Sequence, residues 1–267
     1  MSGPVLVGVD GSATAMAAVE TGAREAARRG VDLRLVHVCA WPAATVAPGV
    51  PPWDPGGART YASGDRVLAE AARRARRVAP GVRVTGAVLL GDPAAVLETE
   101  SRDASLTVVG SRSVTWSGRG RRGSVAARLA VRGASPVLMV RGAPDADGPV
   151  VLACDDGHVG RRAAEFAFTQ ASARGTEVVV LDGRPREGVR DPLAAMREHY
   201  PDVAVHRART RARGGTGRAV AGAGGPAQLI VVGTRPRTAW TAALPTWAGR
   251  AVLRRADCPV AVVREER

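Results

Sequence analysis

Lysine is absent from this chain of 267 residues, in which all 38 basic side chains are arginine against 25 acidic ones. Without lysine the chain cannot carry a Walker-type P-loop, whose lysine reaches the terminal phosphates of a nucleotide. Schiff-base and pyridoxal chemistry also need a lysine amine. Several large classes of enzyme site are therefore excluded before any motif is considered.

Long apolar runs are missing as well, and none approaches the roughly 20 residues that span a bilayer. The start, MSGPVLVGVDGS, lacks the charged region, apolar segment and cleavage site of a secretory signal. The three cysteines lie far apart without metal-ligand spacing, so neither a disulfide framework nor a metal site is indicated. We therefore expect a cytoplasmic protein with no membrane partner.

Aromatic residues are scarce, and their scarcity affects how the formal net charge of +13 is interpreted as a sign of nucleic-acid binding. Such a charge attracts phosphate-rich partners, but an arginine-only, Ala- and Gly-rich composition is equally typical of a GC-rich genome. The chain has only two Phe and two Tyr, and no aromatic-basic interleaving for base stacking. We do not expect nucleic acid to be its partner.

Short Val-rich runs alternate with Ala/Arg segments of helical period, which predicts parallel strands joined by helices. A Pro/Gly-rich stretch from Trp41 to Gly57 is interpreted as a loop. Asp92 and Pro93 predict a helix start, and Gly30 a helix end. Predicted strands cover 4–10, 32–38, 82–90, 105–110 and 136–140, and predicted helices 12–29, 65–79 and 93–103. The inward stripe of the first helix is Met16, Val19, Ala23, Ala26 and Ala27.

The same pattern then repeats. VLVGVDGS (5–12) aligns with VLACDDGH (151–158) at an offset of 146, and LTVVGSR (106–112) aligns with LIVVGTR (229–235) at an offset of 123. The second copy is thus shorter by 23 residues, most of them in the loop after Trp41. We predict two tandem α/β domains, 1–144 and 149–267.

Ligands of parallel α/β sheets bind beyond the carboxyl ends of the strands. Asp10, Gly11 and Ser12 follow the first strand, and the fourth strand ends at Gly110. Nine residues separate Ser113 from Gly123, and Ser124 then precedes a helix that begins near Val125. A loop of this form delivers a glycine and a hydroxyl to a helix N-terminus, where free amides and the helix dipole favour phosphate.

These two motifs, in register with the terminal strands of both copies, resemble the universal stress protein family over essentially the whole chain. The resemblance implies two Rossmann-like domains, each a five-stranded parallel sheet flanked by helices, packed as a pseudo-dimer. It also implies binding of ATP, or of ADP or AMP, without a P-loop, with Mg²⁺ able to accompany ATP. The implied binding residues are Val9, Asp10, Ser12, Val38, Gly110, Arg112, Ser113, Gly123, Ser124 and Val125.

The resemblance assigns Asp10 to the ribose, Val9 and Val38 to the adenine, and Ser124 with the amide of Val125 to phosphate, with Arg112 nearby. Gly110 and Gly123 would let the backbone approach the ligand. Asp10 and Ser124 have an alternative role as helix caps. Ser113 departs from the family pattern, which has glycine there. If that position needs a positive φ, the added Cβ costs about 1 kcal/mol.

Gly118 to Gly123 also spells GxGxxG, the dinucleotide fingerprint, but this motif should open directly from a strand. It is better interpreted as part of a phosphate loop, in which Arg119, Arg121 and Arg122 either close over a polyphosphate or are solvated. The second copy departs much further, with His158, Pro236, Thr246 and Trp247 at motif positions. We predict that the second domain binds no nucleotide and replaces the second subunit of a dimer.

No general base, metal cluster or activated nucleophile can be assigned, so we expect a non-catalytic stress sensor or regulator, with slow, incidental ATP hydrolysis at most. A nucleotide-independent protein-interaction module, with both sites decayed, is the alternative. The sequence leaves open the protein partner and whether two tandem chains form a further homodimer.

Overall fold

The computed structural model describes residues 3–39, 55–110, 125–142, 147–153, 160–182, 192–209, 227–234 and 256–265. These residues form ten strands and six helices. They divide into two compact units, with the division inside the fifth strand, after Val137. The domain limits expected at 144 and 149, and the packing of the copies as a pseudo-dimer, stay predictions.

The first unit contains a parallel sheet in the order β3-β2-β1-β4. Strand β5 (Val137–Val140) begins beside β4, where the amide of Thr107 donates to the carbonyl of Pro136 (2.9 Å). The other elements are β1 (Val5–Gly8), α1 (Ala13–Arg29), β2 (Leu33–Cys39), α2 (Pro55–Val78), β3 (Val84–Leu90), α3 (Pro93–Glu100), β4 (Leu106–Gly110) and α4 (Val125–Arg132).

The second unit repeats this topology, with its strands in the order β10-β9-β6-β7-β8 and all neighbours parallel. The fold class expected from the repeat, tandem parallel α/β domains, is confirmed. Among the described residues, no helix is both long and apolar enough to cross a membrane. The elements are β6 (Val150–Ala153), α5 (Arg161–Ser172), β7 (Val178–Asp182), α6 (Pro192–His199), β8 (Val205–Arg209), β9 (Leu229–Thr234) and β10 (Val260–Arg264).

The ends of two helices follow their predicted signals. Gly30 adopts φ 63° directly after α1, in the left-handed region that glycine favours. At α3 the carboxylate of Asp92 accepts the amide of Ala95 (3.0 Å), and Pro93 lies in the first turn. That helix ends at Glu100 rather than at 103, and the chain turns over residues 101–103, where the Ser101 hydroxyl donates to the carbonyl of Glu98 (2.7 Å).

Helix α2 begins at Pro55 rather than at Asp65, almost three helical turns earlier than predicted. Residues 55–57 were assigned to a loop because Pro-Gly-Gly is a turn signal, but proline is also favoured in the first turn of a helix, where its missing N–H costs nothing. Gly64 is buried inside α2, and a Cβ there would lie 2.9 Å from the His37 ring and 3.0 Å from Val88. The glycine therefore allows α2 to lie close to β2 and β3.

Four of the five residues predicted for the inward face of α1 are buried. The fifth, Ala27, is exposed, and Glu25 is fully buried instead. The Glu25 carboxylate pairs with Arg28 (2.9 Å) and Arg29 (3.5 Å), whose side chains are 33% and 20% exposed. A hydropathy pattern places a carboxylate on the surface. It misses the two arginines that compensate its charge inside the fold.

Candidate functional site

The candidate site lies at the carboxyl ends of β1 and β4. Strand β1 pairs with β2 on one side and β4 on the other, which is the arrangement of a topological switch point. The register aligns Gly8 with Val109, so Val9 and Gly110 come next on the two strands. Asp10 follows at the same edge. Two of the sequence motifs thus converge where ligands of such sheets bind.

Asp10 and Ser12 form a hydrogen-bonded turn into α1. The Asp10 carboxylate is exposed, and its Oδ1 accepts the amide of Ser12 (2.9 Å). The Ser12 hydroxyl in turn accepts the amide of Ala15 (3.2 Å) as the N-cap. Between them Gly11 has φ 81°, a conformation that L side chains rarely adopt. The helix cap expected as the alternative role of Asp10 is supplied by Ser12 instead, whereas Asp10 fixes the turn before it and keeps its carboxylate exposed to solvent.

Gly110 lies against the backbone of the first turn of α1. A Cβ at this position would come within 2.6 Å of the carbonyl carbon and oxygen of Thr14 and 2.8 Å of the amide of Ala15. Only glycine allows the start of α1 to pass this close to the end of β4. Sequence reasoning assigned Gly110 to ligand approach and missed this contact, because it joins residues almost 100 positions apart.

A histidine ties the ends of β2 and β1 together beside this edge. The Nδ1 of His37 lies 2.7 Å from the carbonyl of Val9, so this nitrogen carries the proton and donates. The amide of Val9 donates to Val36 (2.9 Å), and Val9 itself is buried, whereas Val38 is half-buried. The two valines proposed for the adenine thus differ in exposure. No local sequence motif indicates this partner of His37.

Cys39 is the last residue of β2 and lies at the carboxyl end of that strand. Burial raises its pKa, so it is protonated at neutral pH and is a poor nucleophile. Among the described residues, no group of three or more His, Cys, Asp or Glu side chains is placed to hold a metal ion.

Except for Val125, the phosphate side of the motif lies outside the described residues. Val125 begins α4, as predicted. The residues that the structure brings together are Val9, Asp10, Ser12 and Gly110. The predictions that fall outside the described residues are Arg112, Ser113, Arg119, Arg121, Arg122, Gly123 and Ser124 in the first copy, and His158, Pro236, Thr246 and Trp247 in the second.

Comparison with known proteins gives a consistent result over the whole chain. The universal stress protein family model matches residues 1–141. A universal stress protein of Mycobacterium tuberculosis strain H37Rv is 32% identical over 288 residues, which cover 98% of this chain and 97% of the relative. The similarity therefore spans nearly the full length of both chains.

Solved structures show the same fold. The crystal structure of a universal stress protein from Archaeoglobus fulgidus covers 100% of both chains with a TM-score of 0.69 at 18% identity. A universal stress protein in complex with cAMP covers 53% of this chain and 99% of its own, at 24% identity and a TM-score of 0.43. The fold similarity is shown by the structure that covers the whole chain, and the partial match carries no argument.

Proposed function

This chain belongs to the universal stress protein family, and we propose that its first unit binds an adenine nucleotide as a non-catalytic sensor or regulator. The observation that carries the proposal is the convergence of Asp10, Gly110 and the N-terminus of α1 at the switch point between β1 and β4. The nucleotide proposed is ATP or a related adenine nucleotide, ADP or AMP, which shares its adenosine part.

The turn after β1 orients a carboxylate towards solvent at this edge. With Oδ1 accepting the Ser12 amide, Asp10 is held in place to accept hydrogen bonds from ribose hydroxyls. The half-buried side chain of Val38 supplies an apolar surface for the base, next to the end of β1. Phosphates would then extend towards Arg112, Ser113, Gly123, Ser124 and the amide of Val125, with Mg²⁺ accompanying ATP.

Binding rather than catalysis is proposed because the described groups at this edge are poorly suited to chemistry. One oxygen of Asp10 is used by the turn, and burial keeps the Cys39 thiol protonated by raising its pKa. The lack of lysine removes the usual cation for the terminal phosphates. Any ATP hydrolysis is expected to be slow and incidental.

A nucleotide-independent interaction module is the second candidate. It is favoured by one observation, the serine at position 113 where the family motif has glycine. If the first site has decayed as well as the second, the tandem chain would act through protein contacts alone.

Calorimetric titration of the full chain with ATP separates the two candidates. We expect binding by the wild type, and a loss of about 10- to 100-fold in Asp10→Asn, because a hydrogen bond to a charged group contributes roughly 1.5–3 kcal/mol. Asp32→Asn is the control, since Asp32 is also exposed but precedes β2, at the amino ends of the strands and away from the candidate site. Absence of heat at about 0.1 mM protein, the weak-binding regime, would favour the interaction module.

The variant Ser124→Trp tests the phosphate end, because it copies Trp247 of the second copy into the first. We expect it to abolish ATP binding, because the indole would fill the space assigned to phosphate. Unchanged affinity would show that the phosphate site lies elsewhere.

A further inference from the structure

In the second unit, a distant glutamate caps the helix that follows the first strand. Helix α5 begins after Gly160, and the N-cap makes no side-chain hydrogen bond. The carboxylate of Glu265, which follows β10, accepts the amide of Arg162 through Oε2 (3.1 Å) and the amide of Ala163 through Oε1 (3.0 Å). Two of the free amides of the helix are thus satisfied from about 100 residues away.

This carboxylate is held in a fixed place. The amide of Glu265 donates to the carbonyl of Thr234 (2.9 Å), which attaches the residue to the end of β9. A Cβ on Gly160 would collide with the Glu265 carboxyl group, and a Cβ on Gly233 would lie 3.0 Å from that of Ala163. Gly160 thus leaves room for the glutamate at the start of α5, and Gly233 allows the first turn of α5 to lie close to the end of β9.

The location matches the candidate site of the first unit. Strand β6 pairs with β7 on one side and β9 on the other, so α5 starts at the switch point of this sheet, as α1 does in the first. The first copy differs in sequence at the critical residue. At the offset of 123 that relates the terminal strands, Glu265 corresponds to Gly142, which has no side chain, and α1 is capped locally by Ser12.

We propose that Glu265 acts as a resident anion, which occupies the N-terminus of α5 and excludes phosphate groups from the switch-point edge of the second unit. A helix N-terminus attracts anions through its free amides and its dipole. A tethered carboxylate satisfies the same amides without a loss of translational entropy, and it repels a second anion. This selects against anionic ligands in the second unit, whether or not the first unit binds nucleotide.

The test uses the full chain and inorganic phosphate as the probe, with the amide resonances of Arg162 and Ala163 followed by NMR. We expect no saturable shift in the wild type up to about 50 mM phosphate, a range that detects weak binding. Glu265→Gly, which copies Gly142, should show saturable shifts at both amides. Glu165→Gln is the matched control, because Glu165 is exposed on the same helix and its loss changes the net charge by the same amount.

Glu265→Gly also removes a cap, so its melting temperature should fall by on the order of 2–4 °C. Glu265→Gln keeps an acceptor oxygen without the charge, and it decides the question if the glycine variant does not fold. Saturable shifts in either folded variant, with a silent wild type, support the proposal. Equal shifts in the wild type, or silence in every folded variant, overturn it. The amide resonances of Thr14 and Ala15 belong to α1 and would reveal nucleotide binding in the first unit. A failure of the proposed function would therefore appear in these resonances and not in those of Arg162 and Ala163.

Discussion

Replacing Gly110 by alanine should destabilise the first unit through a contact that the sequence does not reveal. The new methyl group would come within 2.6 Å of the carbonyl group of Thr14 and 2.8 Å of the amide of Ala15. Contacts below 3.0 Å cannot persist, and the opposing atoms are helix backbone rather than a side chain that can rotate away. Either β4 or the first turn of α1 must shift by several tenths of an ångström.

The cost should resemble that of other overpacked sites, about 1–3 kcal/mol, which corresponds to a fall in melting temperature of roughly 2–12 °C. Gly110→Ala and Gly81→Ala would be compared with the wild type by urea unfolding and calorimetry. Gly81 is the control because a Cβ there has nothing within 4 Å and its φ is not positive. That variant should be neutral or stabilised by about 0.4–1 kcal/mol, since alanine restricts the unfolded chain.

Displacement of α1 should also weaken any ligand held at its N-terminus, so ATP affinity and stability should fall together in Gly110→Ala. The reasoning is refuted if Gly110→Ala and Gly81→Ala unfold at the same urea concentration. A loss of stability with unchanged ATP affinity would keep the packing argument and would remove Gly110 from the binding site.

Two further predictions concern buried ionisable groups. Glu25→Ala should lower the free energy of unfolding by about 1.5–3 kcal/mol, because it removes a fully buried carboxylate that pairs with Arg28 and Arg29. Asp32→Ala, which breaks the exposed pair with Arg83 (4.0 Å), should cost less than about 0.5 kcal/mol. Equal costs in urea unfolding would contradict the assignment of Glu25 to the interior. Burial raises the pKa of the Cys258 thiol from 9.0 to about 11. Between these two pH values the folded state keeps a proton that the unfolded state has lost. The free energy of unfolding should therefore be constant below pH 9 and fall by about 2–3 kcal/mol between pH 9 and 11. In reducing buffer, Cys258→Ala should flatten this dependence of the free energy of unfolding on pH. An unchanged slope would show that other titratable groups cause it, and the absence of lysine leaves few such groups in this pH range.

Much of the fold is predictable because its signals are local. Val-rich strands, the glycine after α1 and the Asp-Pro pair before α3 each act within a few residues, and the repeat offsets depend on sequence alone. The start of α2 was misplaced because a proline and two glycines are compatible with both a loop and a helix start. Local chemistry does not choose between these alternatives, whereas packing of α2 on β2 and β3 does.

The amino-acid sequence by itself determined the tandem α/β architecture, the family and the loss of lysine-dependent chemistry, because periodicity, motif spacing and composition are properties of the linear chain. Only the tertiary structure decided which carboxylates are buried or exposed, why Gly110 is glycine, and that His37 holds the end of β1. It also decided that the N-terminus of α5 is occupied by Glu265. These features depend on pairs of residues far apart in the chain, and the distances between them exist only after the sheet has assembled.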